Sequence, residues 1–456
     1  MPKLYKYNAL RSIFIFFNAF IFVMAIYAIM IASPGKYKSD AVYLSNAAII
    51  IYSLLHILSN ENKAYSAKKI FYLFIFFFMG IAPLMQFKMG TETVGGYKIS
   101  EDTYIITNLI TLLMLFIYDL TYNYSYKHIN KPILTLDKTP VSVIKIKKWR
   151  AILLGISIVS VAYTIFYFRN NLYLLIFRGL SDIVGYDVSQ KSGNFTGPLF
   201  DCIIRPLSVV CCINYWAIGK SKTYKFYFFI LMLISCFPIS LARLRTAAYY
   251  MPLLILAFPK IRYNNRFIFL FLIGFLVIFP LLNNFRTWSN GSFEFSNLDF
   301  NMFCNMNYDS YQSFAFVVQN EIITYGRQLL VVLFFWIPRS IWPDKPYMSG
   351  RWVAHEHDLW FDQISMNYFG EGFINGGILG VIVFTIFLAF ITAKFDKSYW
   401  VFYKGSPNNL FAPFFLLFIG MYFFFMRGDL MFGTEYTICL LGTNFLIYKI
   451  SRHYLK

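Results

Sequence analysis

The arginines are the residues of this chain whose type and placement could do chemistry. Arg243 and Arg245 stand in a tight connection, Leu241-Ala-Arg-Leu-Arg-Thr246, between two short apolar runs. Arg427 stands in another, Met426-Arg-Gly-Asp-Leu430, with Asp429 beside it and Glu435 in the next apolar run. Arg286, Arg327 and Arg339 are spread through a long stretch between runs. A guanidinium is planar, always charged and able to grip two oxygens at once, so it suits phosphate or diphosphate held at a partly dry site. Taken singly, such an arginine is more often a headgroup contact or an ion-pair partner than a ligand. Arg205, four residues after Asp201, has the spacing of an intrahelical pair, and Arg427 with Asp429 and Glu435 could neutralise itself.

Glu371 and Asn375 are four apart in Tyr368-Phe-Gly-Glu-Gly-Phe-Ile-Asn-Gly-Gly-Ile-Leu-Gly380, which places them side by side on a helix. An acid there could accept a proton or orient a hydroxyl, or it could simply pair an arginine. Gly372, Gly376 and Gly380 recur every four residues, baring one face so that a neighbouring helix can approach closely. His355-Glu-His-Asp358 has histidines at i and i+2, whereas ligands on a helix are usually i and i+4, so no metal is expected. Five of the six cysteines fall within or at the ends of apolar runs and Cys304 stands alone, which argues against a disulfide framework. No Gly-rich phosphate loop or dinucleotide fingerprint is present, and no internal repeat is evident.

The elements that must carry these residues are membrane helices. Of 456 residues 58% are hydrophobic and 14% charged, whereas a soluble chain carries roughly a quarter charged. Against a span of about 20 residues, twelve runs qualify: Leu10 to Ala32, Ala41 to Leu58, Ile70 to Phe87, Thr103 to Leu120, Ala151 to Phe168, Pro198 to Ile218, Phe226 to Leu241, Ala247 to Phe258, Phe267 to Leu282, Phe373 to Ala393, Leu410 to Met426 and Met431 to Tyr448. The first has no small-residue cleavage site and is too long for a signal-peptide core, so it reads as a retained helix. Basic loops resist translocation, and the Lys-rich segments fall on one side if both termini are cytoplasmic. A further run, Gln328 to Ile341, would invert that order if it crossed, so it is read as re-entrant or interfacial, ended by Pro338 and Pro343. The expected fold is therefore an all-α polytopic membrane protein of about 12 transmembrane helices. A nine-helix region 1–282 is followed by a large extracytoplasmic loop 283–367, with the re-entrant or interfacial segment 328–341, and a three-helix region 368–456. On this topology 6 of 26 Lys but 10 of 15 Arg lie at or near the outer face. The orientation rule accounts for the lysines. The outer arginines run against it and point to an anionic ligand on that side.

The order of these features resembles the bacterial oligosaccharide repeat-unit polymerases, the Wzy type that makes O-antigen and capsular polysaccharide. The matching pieces are Ala242-Arg-Leu-Arg-Thr246, Asn284-Phe-Arg286, Tyr325-Gly-Arg327, Ile337-Pro-Arg-Ser-Ile-Trp-Pro-Asp-Lys-Pro346, Gly370-Glu-Gly-Phe-Ile-Asn-Gly-Gly377 and Arg427-Gly-Asp429. They cover the second half of the chain; the first half matches as a count of helices. The resemblance implies a multi-pass protein of the bacterial inner membrane, similar in architecture to C-type glycosyltransferases. Such an enzyme transfers a glycan from undecaprenyl diphosphate, at the outer face, onto the terminal sugar of another lipid-linked repeat unit. It implies Arg243, Arg286, Arg327 and Arg339, with Asn375 and Asp429, as binders of diphosphate and sugar, and Arg245, Arg427 and Glu371 as catalytic. Its implied partners are the bilayer, the lipid-linked oligosaccharide, and a chain-length regulator and flippase of the same pathway; no cofactor, metal or nucleic acid is implied. An O-antigen ligase shares layout and donor, and a flippase for lipid-linked sugar or an export-complex scaffold are readings from other classes.

Overall fold

The computed structural model describes residues 38–58, 63–134, 143–177, 196–262, 266–278, 280–281, 288–289, 292–293, 300–361 and 364–455. The run Leu10 to Ala32, and Lys36, Arg178, Lys191 and Arg286, lie outside them. Lipid offers no partner for backbone N–H and C=O groups, so the apolar runs close their hydrogen bonds internally as helices. Among the described residues eight are long and apolar enough to cross a membrane: α1 (Asp40–Leu58), α2 (Ala67–Met89), α3 (Glu101–His128), α4 (Ile146–Tyr167), α5 (Phe200–Ile218), α6 (Lys222–Ser240), α12 (Tyr368–Phe402) and α14 (Leu430–Leu455). Shorter apolar helices α7 (Arg243–Ala257), α8 (Arg266–Ile278) and α13 (Ala412–Arg427) complete the bundle. The loop region carries α9 (Ser310–Gln319), α10 (Arg327–Leu333), α11 (Ser349–Glu356) and a two-residue antiparallel pairing of Trp288–Ser289 with Ser292–Phe293.

Caps fix where these helices begin. Ser100 accepts from Thr103 N ahead of Glu101 and Asp102, whose charges suit a helix N-terminus. Ser66 accepts from Lys69 N, and Asp396, reaching from α12, accepts from the N–H groups of Ala67 and Lys68 at 2.8 and 3.2 Å and from the Tyr122 hydroxyl at 2.7 Å. That contact gathers the start of α2 and the last turns of α3 and α12 at one end of the bundle. Lys397 Nζ donates to Lys127 O there, and Trp149 Nε1 donates to Ser451 Oγ. Lys63, Lys68, Lys127 and Lys394 share this lysine end. The opposite end holds the start of α3, where Ser39 donates to Glu101, together with α9, the α13–α14 turn and Arg243, Arg339 and Arg427. It is the arginine end below.

Two local features add to the expected pattern. The segment Gln328 to Ile341 forms helix only over Arg327–Leu333, about 10 Å of rise. Leu330, Leu333, Phe334, Trp336 and Ile341 are exposed along it, and turns follow. The sharp reversal falls instead inside α12. Gly376 is extended (φ −165°) and Gly377 takes φ 60°, ψ −147°, a region open in practice only to glycine. The helix folds back on itself there: the Tyr368 hydroxyl donates to Phe384 O at 3.1 Å, and a Cβ on Gly380 would lie 2.0 Å from Gly372 O. In a straight helix residues eight apart are separated by about 12 Å. The glycine spacing does permit close approach, but the neighbour is the same helix after its turn.

Candidate functional site

The buried leg 368–375 and α9 are two short helices whose N-termini meet inside the arginine end. Asn367 caps the leg by accepting from Phe369 N and Gly370 N, and its Nδ2 donates to Ser310 O at 2.6 Å. Asp309 precedes α9; its Oδ2 accepts from Ser365 N at 2.8 Å and its Oδ1 faces Arg427 Nη2 at 3.3 Å. Arg427 Nε also donates to Asn307 O at 3.1 Å, and Arg243 donates to Asn307 Oδ1. Two guanidiniums thus bracket one residue, close enough for each charge to feel the other. Both are only partly buried. Burial pushes the Asp309 carboxyl up to about 6, against the pull of Arg427 and the Ser365 amide.

Glu371 and Asp429 lie behind this pair. Glu371 is 1% exposed, and both its oxygens are taken: Oε2 accepts from Ser349 Oγ at 2.7 Å and Oε1 from Leu430 N at 2.9 Å. Asp429 Oδ1 accepts from Gly350 N at 3.0 Å and Met366 N at 3.3 Å. Burial, then the Glu371 carboxylate, raises Asp429 well above the carboxylate range and favours its protonated form. These acids tie α11, the leg and the start of α14 together, and Glu371 is held by a hydroxyl and an amide rather than an arginine. Asn375 is likewise spent on structure: Oδ1 accepts from Leu329 N at 3.1 Å and Nδ2 donates to Glu371 O, while Thr324 N donates to Ile374 O, so the loop is pinned to the α12 turn.

The remaining arginines divide. Arg243 and Arg245 occupy the first turn of α7 rather than a loop, and residues two apart on a helix do not face one another. Arg245 turns to Asp201 at 3.6 Å and to the Tyr436 hydroxyl at 3.1 Å. Arg205 shares Asp201 at 3.7 Å, as its i, i+4 spacing indicates, and donates to Ser235 O and Ser240 Oγ. Arg339 donates to Lys345 O at 2.5 Å and Pro346 O at 3.2 Å, and with Arg351 flanks the Tyr347 ring. Arg327 is exposed at the start of α10. The arginine end therefore holds several groups, of which Arg243 and Arg427 meet at Asn307 and Arg427 also reaches the buried Asp309. His355 stacks on Tyr347 and His357 meets Phe316, so the two histidines have separate surroundings. Among the described residues no three His, Cys, Asp or Glu side chains are placed to share a metal ion.

Asp309 and Asn307 were not among the residues singled out by sequence. The available signal was an acid immediately before the apolar run Ser310–Val318, the pattern of a helix start. Compared with family models, with curated proteins and with solved structures, the chain finds no match in any of the three.

Proposed function

We propose that this chain is a membrane glycosyltransferase of the oligosaccharide repeat-unit polymerase kind. It would act at the outer face of a bacterial inner membrane, moving a glycan from undecaprenyl diphosphate onto the terminal sugar of a second lipid-linked repeat unit. The observation that carries this reading is the Arg243 and Arg427 pair at Asn307, backed by the buried carboxyl of Asp309. The reaction breaks the bond between the anomeric carbon and the diphosphate oxygen and forms one to an acceptor hydroxyl. Negative charge grows on the leaving diphosphate, and fixed guanidiniums in a partly dry rim stabilise it without reorganising. The hydroxyl proton must leave; Asp309, largely ionised at neutral pH, is the acceptor in this reading, and Glu371 is a positioning residue. Arg245, held by Asp201 and Tyr436, supports α7 beside the site.

A flippase would need charge along a path through the bundle. Among the described residues the ion pairs cluster toward the two ends: Asp119 with Lys68 and His56 toward the lysine end, and Asp201 and Asp309 with their arginines at the other. Purified protein given undecaprenyl-diphosphate-linked repeat units should lengthen the glycan, and Arg427→Lys should slow this about 100-fold, because lysine keeps the charge but loses the two-pronged grip. Lengthening at the normal rate in that variant would remove Arg427 from the site. Transfer to lipid A core in place of the repeat unit would identify a ligase.

A further inference from the structure

Besides the arginine pair, the same end of the bundle contains a recess. Its volume is about 360 Å³, within the range of small-molecule sites. Its lining comes from the start of α1, the 86–101 connection between α2 and α3, and Gln312 of α9. We propose that this recess binds a neutral, polyhydroxylated ring, a sugar residue, rather than an anion.

The charges around it argue first. Lys38, Lys98, Glu92 and Glu101 all belong to the lining, two charges of each sign, and all four are exposed. A phosphate would meet the acids and an ammonium the lysines, whereas a ligand rich in hydroxyls can donate to the carboxylates and accept from the ammonium groups at once. The floor argues next. Phe87 and Tyr104 are buried there with ring centroids 5.0 Å apart, an apolar surface of the kind that takes the C–H face of a sugar. Gln312 is fully engaged: its Oε1 accepts from Thr93 N and Oγ1, and its Nε2 donates to Thr91 O at 2.7 Å and to the Tyr104 hydroxyl at 2.9 Å. Tyr104 accepts that bond, which leaves its own proton to donate to a ligand. The floor is therefore preorganised, and binding need not order it first.

Its position gives the recess a use. Gln86, also in the lining, donates to Phe303 O and Tyr308 O, both at 2.9 Å. Tyr308 lies between Asn307 and Asp309, and Gln312 is on the helix that Asp309 begins. A ring held here would lie one backbone segment away from the two guanidiniums, as an acceptor or donor sugar adjoining a diphosphate would. Binding itself does not depend on the transfer reaction proposed above.

The test is saturation-transfer NMR on the full chain in detergent, with glucose and N-acetylglucosamine as probes and inorganic pyrophosphate followed by phosphorus line width. Thr91→Trp places an indole in the recess while keeping the backbone carbonyl that holds Gln312, and Glu92→Gln removes one exposed acceptor charge with little risk to folding. Sugar signals should be present in the parent, fall at least tenfold in Thr91→Trp and several-fold in Glu92→Gln, while pyrophosphate broadening is unchanged in both. The proposal is overturned if neither sugar gives a signal in the parent, if both variants keep it in full, or if pyrophosphate binding is what Thr91→Trp abolishes. A loss of glycan lengthening in Arg427→Lys with sugar binding intact would separate the two sites; intact sugar binding in a protein that never lengthens glycan would overturn the polymerase reading alone.

Discussion

Asp309 joins an ordinary residue type to an unusual setting: a carboxyl at 2% exposure facing a guanidinium at 3.3 Å. Its pKa of about 6 lies above the ordinary carboxylate value, so between roughly pH 4 and 6 the folded protein binds a proton that the unfolded chain releases. The sign follows: the group's contribution to stability is full below its ordinary pKa and is lost as pH rises through about 6. Thermal melts should show the parent losing up to roughly 3 kcal/mol relative to Asp309→Asn between pH 4 and 7.5. Parallel pH curves for the two proteins would place the titration elsewhere. At this scale the sequence was partly legible. Arg427 and Asp429 were recognisable because a charged pair in a tight turn between apolar runs has few places to go. Asp309 was not, because α9 is too short to register as a span and its acid looked like one polar residue in a long loop. Arg243 and Arg245 looked equivalent until helical geometry turned them to different partners, Asn307 and Asp201.

The reversal inside α12 is the element on which the site depends, since it carries Glu371 and Asn367 down into the bundle and brings the chain back up before the helix crosses. The glycines at and after the turn have different jobs. A Cβ at Gly380 would meet Gly372 O at 2.0 Å, so Gly380→Ala should cost about 2–3 kcal/mol by overpacking backbone against backbone. A Cβ at Gly376 meets nothing within 4 Å and the residue is extended, so Gly376→Ala should stay within about 0.5 kcal/mol of the parent. Gly377→Ala, at positive φ, should fall between them at about 1–2 kcal/mol. Melting temperatures in detergent should rank the variants in that order, and equal losses at Gly376 and Gly380 would mean a straight helix against a separate neighbour. The eight described helices long and apolar enough to cross could be read from sequence because lipid imposes length and apolarity along the whole run. The fold-back could not, because a glycine every fourth residue serves a second helix and a returning one alike, and only the torsions at Gly376 and Gly377 distinguish them.

For the whole molecule, the informative property is that the candidate site and the lysine-rich anchoring contacts occupy opposite ends. The alternation of helices puts Ala67, Lys127, Lys397 and Ser451 at one end and Ser39, Gln86, Asp309 and Arg427 at the other. Basic loops resist translocation, so the proposed orientation would put the lysine end in the cytoplasm and the arginine end outside. Two exposed positions test this directly: Tyr325, 89% exposed in the turn before α10, and Asn408, exposed between α12 and α13. In a background with the native cysteines replaced, a membrane-impermeant maleimide added to intact cells should label Tyr325→Cys, and should label Asn408→Cys only after permeabilisation. The reverse pattern would place the Arg243 and Arg427 pair in the cytoplasm, where nucleotide-linked donors are available and the case for a lipid diphosphate disappears. Labelling of both from one side would break the alternation itself. The outcome thus decides more than topology: guanidiniums on the cytoplasmic side would need no explanation beyond the orientation rule, whereas on the far side they run against it and require a ligand.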